Sequence, residues 1–307
     1  FEGLMLGEFD ILRVMIHAKS LGLVVALHCE SETITAHLGR ELKRQGLSGV
    51  EHYSKSRPPI AERLAIEQAI ALGETAGCPV YIVHVTTADG VSAIRRAMAR
   101  GLPVYGETCP HYLLLDERLL NAETGEAVKY FTGPPLRAAA DAEALWNGLR
   151  QGDLQVVATD HCAWRVEQKR ASQAFDSVPV GLPGLETRLP LLFTEAVGKR
   201  GASIQDFVRW TSTNPAKIFG LYPRKGSLSI GADADLVLWD PTRRVKLESA
   251  ALHQGSDYCP YEGYELRGYP VMTILRGHVV VDRDEFTGAA GMGRRVERSR
   301  HAAGRAM

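Results

Sequence analysis

Short unbroken apolar runs recur through the first part of the chain, and each stops at a polar residue able to do chemistry. Leu23–Leu27 runs into His28, Val80–Val83 into His84, and Val156–Ala158, with Thr159, into Asp160 and His161. Such runs, rich in β-branched residues and bounded by glycine or proline, read as strands buried on both faces of a parallel sheet. Leu102–Thr108 adds a fourth. Between the runs the apolar positions change to helical spacing. Asp10–Ser20 puts Ile11, Leu12, Met15 and Ile16 on one face, with Asp10 as the expected N-cap and Gly22 as the stop. A shorter helix is expected near Thr33–Gln45, and Pro58-Pro59 opens a long one over Ile60–Thr75, closed by Gly77. Ala88–Arg100, Asp141–Arg150, Leu185–Lys199 and Ser203–Ser212 follow, with Pro215–Leu221 continuing helically.

Strands alternating with helices imply βαβ units. Four tilted strands do not close a barrel, whereas about eight do. The expected fold class is therefore α/β, either half of a barrel or an open sheet. No glycine-rich phosphate loop follows any strand to support the open sheet. The pattern changes after Tyr222. Gly226, Gly231, Gly255, Gly263, Gly268 and Gly277 punctuate short alternating runs such as Ala234–Trp239 and Val271–Val281. The expected division is thus 1–222 for the α/β part, 223–287 for a small β-rich domain, and 288–307 for a Gly- and Arg-rich tail. That tail is either disordered or an arm lying on a neighbouring subunit.

Composition narrows the functional class. The 307 residues are 45% hydrophobic and 23% charged, with a formal net charge of zero. Binding to nucleic acid or a membrane surface through bulk charge is therefore not expected. No apolar run approaches the roughly 20 residues that span a bilayer. The opening Phe1-Glu2-Gly3-Leu4 has neither the basic region nor the cleavage site of a secretory leader. The 5 cysteines are scattered and form no C-x-x-C pair, which suits reduced thiols in the cytoplasm. The first residue is Phe, so the sequence need not begin at a natural start.

Three strand ends deliver His28, His84 and Asp160 to what should be one rim. One histidine at a strand end is ordinarily a satisfied polar residue; three such ends make a divalent-metal site as good a reading as the bland one. Two imidazoles and a carboxylate suit zinc or a similar ion. Such an ion acidifies water and polarises a carbonyl, and Asp160 is placed to carry a proton to a leaving nitrogen. The bland alternative for Asp160 is a helix cap or an ion pair. His161 is expected to support the ligands, and Cys29 and Cys162 to be small buried thiols. His111 is a further strand-end candidate, and Gly133-Pro134-Pro135 a rigid loop able to offer its backbone to a planar amide.

Several motifs occur in a telling order. They are Ala26-Leu27-His28-Cys29-Glu30, Val83-His84-Val85-Thr86-Thr87, Gly106-Glu107-Thr108-Cys109-Pro110-His111-Tyr112-Leu113, Gly133-Pro134-Pro135-Leu136-Arg137 and Ala158-Thr159-Asp160-His161-Cys162. Ser212-Thr213-Asn214-Pro215-Ala216-Lys217 and Gly231-Ala232-Asp233-Ala234-Asp235-Leu236-Val237 complete the series. Together they resemble the dihydropyrimidinase/hydantoinase branch of the cyclic amidohydrolases over almost the whole chain. The resemblance implies the later half of a TIM-like (β/α)8 barrel with a small β-sandwich. It implies hydrolysis of the cyclic amide of dihydropyrimidines or 5-substituted hydantoins to N-carbamoyl amino acids. It also implies two divalent metal ions, zinc above all, bridged by a carboxylated lysine. His28, His84 and Asp160 would be metal ligands, and Asp160 also the proton shuttle. The backbone at Gly133 and Val180 would hold the substrate's cyclic amide, at positions the family usually fills with Ser and Asn. A homo-oligomer, tetramer or dimer, is implied in the same way.

The resemblance also defines an absence. The family's His-x-His pair and its lysine have no counterpart in this chain, so they are expected upstream, and the 307 residues alone are expected to be inactive. Two rivals stand beside this reading. One is an allantoinase or dihydroorotase, towards which Glu107–Leu113 leans. The other is a non-catalytic interaction or structural subunit, as in the collapsin response mediator proteins, which keep the fold but lose the metal ligands.

Overall fold

The computed structural model describes residues 5–121 and 126–300. Contacts divide them into two units: one from the described residues up to Leu185 with Gln254–Pro260, the other from Glu186–His253 with residues 261–300.

The first unit is built on a parallel four-stranded sheet in the order β1-β2-β3-β4. The strands are β1 (Val25–Leu27), β2 (Val80–Ile82), β3 (Val104–Thr108) and β4 (Val156–Val157). β4 is shorter than its apolar run, but Gln155 N–H still donates to Gly106 O and Ala158 N–H to Thr108 O, both at 2.9 Å. Its register, Glu107↔Val156, brings Asp160 past the same edge as His84. β2 and its partners Val104–Gly106 on β3 are buried, whereas Ala26 at the middle of β1 is exposed, and among the described residues β1 pairs on one side only.

The helices of this unit are α1 (Glu8–Leu21), α2 (Glu32–Arg44), the single-turn α3 (Tyr53–Ser56), α4 (Pro59–Ala76) and α5 (Ala88–Ala99). They continue with α6 (Pro110–Leu114), α7 (Ala139–Gln151) and α8 (Val166–Arg170). α1 begins earlier than its pattern suggests. Gly7 is the N-cap, so Asp10 lies in the first turn, where its charge favours the positive helix end. Gly22 (φ 67°) and Gly77 (φ 62°) end α1 and α4 in left-handed caps that a Cβ would strain. Of the apolar face read for α1, Met15 is buried and Ile16 exposed.

The second unit starts with α9 (Arg188–Leu192), which runs into a wider helical turn, Phe193–Lys199. α10 (Ile204–Val208) likewise passes through Arg209–Thr213 into α11 (Asn214–Ile218). An antiparallel sheet follows, β5 (Leu236–Lys246), β6 (Glu265–Leu275), β7 (His278–Asp282) and β8 (Glu285–Phe286), in chain order. Phe193, Phe207 and Trp239 pack ring on ring, with centroids 5.0–5.7 Å apart. Gly268 admits Phe193, since any Cβ there would sit 2.4 Å from the ring. Ser299 N–H donates to Gly220 O at 2.8 Å, so residues 288–300 are irregular but tied down. The rest of the expected tail, His301–Met307, lies outside the described residues, as does the opening Phe1–Leu4. Among the described residues no helix is long and apolar enough to cross a membrane.

Candidate active site

His28 and His84 meet at the ends of β1 and β2. His28 Nδ1 lies 2.9 Å from His84 Nε2, with the rings edge to face. Their hydrogen-bond partners assign the lone pairs. Glu30 Oε2, 3.0 Å from His28 Nε2, can only accept, so that nitrogen carries the proton and Nδ1 presents a lone pair. In the neutral pair His84 Nε2 donates to that lone pair, and the other tautomer of His84 turns a second lone pair to the same point. In that tautomer the two lone pairs are placed to hold a cation between them. Bonds of ~2.1 Å to one tetrahedral ion put two nitrogens ~3.4 Å apart, a small opening from the observed spacing. The donor pair therefore fits a divalent ion in kind.

The electrostatics act in the same sense. Burial, reinforced by His28, pushes His84 down to about 3, so its imidazole stays neutral. Burial would raise Glu30, but the hydrogen bond from His28 and the charge of Arg57 overcome it and hold the carboxylate below its usual range. Asp160 behaves oppositely: burial raises it, with His28 opposing. His84 and Asp160 both have left-handed backbones, φ 40° and 45°, a rare state for residues with a Cβ that clusters at functional sites.

Asp160 does not join the histidine pair. Among the described residues no three His, Cys, Asp or Glu side chains converge on one point that could hold a metal ion. His161 turns aside from that rim: its Nδ1 accepts from Gly184 N–H at 3.0 Å and from Leu185 N–H at 3.1 Å. Cys29 is buried as expected, but Cys162 is exposed, because its partner loop meets it with Gly181, which has no side chain to cover it. None of the 5 cysteines forms a disulfide. His111 is buried with Nε2 unpartnered, and burial followed by His84 pushes it down to about 3.

Residues without a sequence signal hold these strand ends. The buried carboxylate of Glu62 accepts from Thr86 N–H and Thr87 N–H, both at 3.0 Å, and from both threonine hydroxyls. Arg137 stands 4.0 Å from Glu62 and donates to Thr86 Oγ1 at 3.0 Å. Thr87 Oγ1 also accepts from Gly90 N–H at 3.0 Å and so caps α5. The turn just past His84 is thereby fixed from below. The only hint in the sequence is paired threonines ahead of a helix; nothing in it shows that Glu62 answers them.

Gly133 and Val180 come together at a second place. A Cβ on Gly133 would lie 2.9 Å from Val180 Cγ1 and 3.0 Å from Tyr53 Oη. The Gly133-Pro134 peptide is cis, and Pro134 O accepts from Tyr112 Oη at 2.8 Å. Val180 O is held by Trp164 Nε1 at 3.0 Å and by Cys162 Sγ at 3.5 Å.

A parallel sheet with paired imidazoles and a strained carboxylate at its strand ends is the ground plan of a metal-dependent hydrolase. Sequence comparison identifies which: residues 8–280 match the amidohydrolase family, and the chain belongs to it. It is 36% identical over 299 residues to a D-hydantoinase of Ralstonia pickettii, covering 97% of this chain and 65% of the relative. It superposes on a D-hydantoinase (dihydropyrimidinase) from Thermus sp. with a TM-score of 0.96 at 35% identity, over 98% of this chain and 66% of that one. A dihydropyrimidinase from Brevibacillus agri NCHU1002 gives a TM-score of 0.96 at 39% identity, with the same coverage. The chain therefore spans a little under two thirds of these relatives. The fold is of the TIM-barrel α/β type with a separate sheet unit.

Proposed function

We propose that this chain is part of a metal-dependent cyclic amidohydrolase that opens dihydropyrimidines or 5-substituted hydantoins to N-carbamoyl amino acids. The observation that carries the reading is the pair of imidazole nitrogens that meet at 2.9 Å on two adjacent strand ends, within an amidohydrolase frame. The relatives' names as D-hydantoinases support the substrate class.

In this reading His28 and His84 hold one of two divalent ions, with zinc the best match to imidazole donors. A bound ion supplies Lewis acidity to the amide carbonyl and to water. Asp160 would bind the other ion and would move the proton to the departing ring nitrogen, a task helped by the burial that raises its basicity. The backbone at Gly133 and Val180 orients the cyclic amide. The remaining ligands, a carboxylated lysine among them, would come from outside these 307 residues.

The four parallel strands then form the later half of a barrel. The half-exposed β1, unpaired on one edge, is where the remaining strands continue the sheet. The assignment of 1–222 to the barrel, 223–287 to the small β-rich domain and 288–307 to a tail goes with this reading, as do a cytoplasmic location and a homo-oligomer.

The test is metal content with intact mass on one sample, followed by ring opening of hydantoin, dihydrouracil, allantoin and dihydroorotate. About two zinc ions per chain, a mass above 33.6 kDa and turnover of the first two substrates support the reading. Turnover of only the last two moves it to an allantoinase or dihydroorotase. Zinc near zero and no turnover at any metal loading overturn it in favour of a non-catalytic subunit. Replacing His84 with Ala is expected to weaken zinc retention at least about tenfold, measured against a chelator.

A further inference from the structure

Lys169 has no exposed surface, and no carboxylate among the described residues pairs with it. Its Nζ donates to Phe131 O at 2.8 Å and to Pro179 O at 3.1 Å, and lies 6.0 Å from the centre of the Phe131 ring. These carbonyls belong to two segments far apart in sequence, one leading to Gly133 and the other to Val180. The segments are also joined directly, since Gly181 N–H donates to Phe131 O at 3.2 Å. Tyr53 backs the first of them, its ring 4.4 Å from that of Phe131.

An unpaired lysine in a dry interior is costly, and its retention calls for a reason. A long stem with a donor head is suited to one task here. It donates at once to Phe131 O and Pro179 O and so adds a second tie between segments that one main-chain bond already joins. Burial pushes the ammonium down to about 7, and a neutral amine has two N–H groups, which these two carbonyls satisfy.

We propose that Lys169 is the positioning residue of the substrate loops, setting the spacing between the Phe131–Gly133 and Pro179–Gly181 segments. This rests on the reading above that the backbone at Gly133 and Val180 holds the cyclic amide. Lys169 touches no reacting atom; it acts through the two carbonyls it ties.

The test compares the natural full-length protein, loaded with zinc, with its Lys169→Met variant, and uses two readouts. With hydantoin or dihydrouracil, KM is expected to rise about tenfold while kcat changes much less and zinc content stays the same, because a loosened binding loop weakens ground and transition states alike. By hydrogen exchange, the peptide containing Gly181 should exchange about tenfold faster, while the peptide containing Gly90 should not change. An unchanged KM in an active protein overturns the proposal, as does a loss of zinc with a matching fall in kcat. If the unsubstituted protein opens no cyclic ureide, the functional reading fails, and the tie between the loops is then judged by exchange alone: an unchanged Gly181 peptide overturns it, and a faster one supports it. Should Lys169→Met fail to fold, Lys169→Gln, which keeps a shorter N–H donor, is expected to show a smaller change in the same direction; wild-type KM and exchange in that variant overturn the proposal.

Discussion

Two buried charges stand behind the two halves of the candidate site, and they are held in opposite ways. Glu62 lies beneath the turn after His84, surrounded by donors at the positive end of α5 and facing Arg137. Lys169 lies behind Gly133 and Val180 with carbonyl oxygens for partners and no counter-ion. The anion is embedded among hydrogen-bond donors, although burial still raises its pKa against Arg137 and the threonines. The cation is not compensated, so burial alone brings it down to about 7. The histidine turn should accordingly be rigid, and the substrate loops should be tied by a group that changes its protonation within the working range.

The largest effect expected from this contrast is at Glu62. Glu62→Ala leaves Arg137 buried without its counter-charge and strips two main-chain amides and two hydroxyls of their acceptor, costing about 3–5 kcal/mol. Urea denaturation measures it, and a loss below about 1 kcal/mol would remove the asserted rigidity. The next is at Lys169, where the effect depends on pH. Its folded pKa lies below the unfolded one, so between pH 7 and 10 the unfolded chain binds more protons and stability rises with pH. From pH 7 to pH 9 the rise is roughly 2 kcal/mol. Lys169→Met should abolish that rise and cost little at pH 7. Parallel stability–pH curves for the two proteins would contradict the uncompensated cation.

A third test sharpens the side with no ion pair. Gly133→Ser should destabilise by about 1–3 kcal/mol, because its Cβ meets Val180 and Tyr53. Val180→Ala should relieve part of this, giving a coupling of about 1 kcal/mol in a double-mutant cycle. Simple additivity would show that the two positions do not confront each other. The smallest effect is on the histidine side: Thr87→Ala removes the α5 cap and should cost about 1 kcal/mol. A thermal midpoint identical to the parent would show that Glu62 holds that turn without it.

Much of this frame was legible in the sequence. Four apolar runs gave four parallel strands in order, and the glycines at 22 and 77 marked helix ends, because periodicity and left-handed caps are local properties. The meeting of His28 and His84 was also legible, since adjacent parallel strands place their ends side by side. What local pattern could not show is what lies underneath. Glu62 sits on a helix rich in Ala, Ile and Leu and Lys169 within a Gln-Lys-Arg stretch, and neither local pattern marks its charge as buried. Their burial follows from which loop folds over them, which is a tertiary fact. Asp10 failed as a cap for a related reason. A helix can start on Gly7 without a side-chain acceptor once Met15 and Ala18 are anchored in the core.

The backbone at His84 and Asp160 has a consequence for how this rim can vary. A left-handed residue excludes β-branched side chains almost entirely and favours Gly, Asn, Asp and His. Apart from glycine, the residues most enriched in that backbone, Asn, Asp and His, carry a lone pair on a short side chain, although Arg276 and Arg283 adopt it here too. The shape of the strand ends thus filters the permitted residue alphabet towards ligands and proton carriers, ahead of any demand made by the chemistry itself. Random substitution here would return polar donors and acceptors far more often than at a neighbouring position with an ordinary extended backbone.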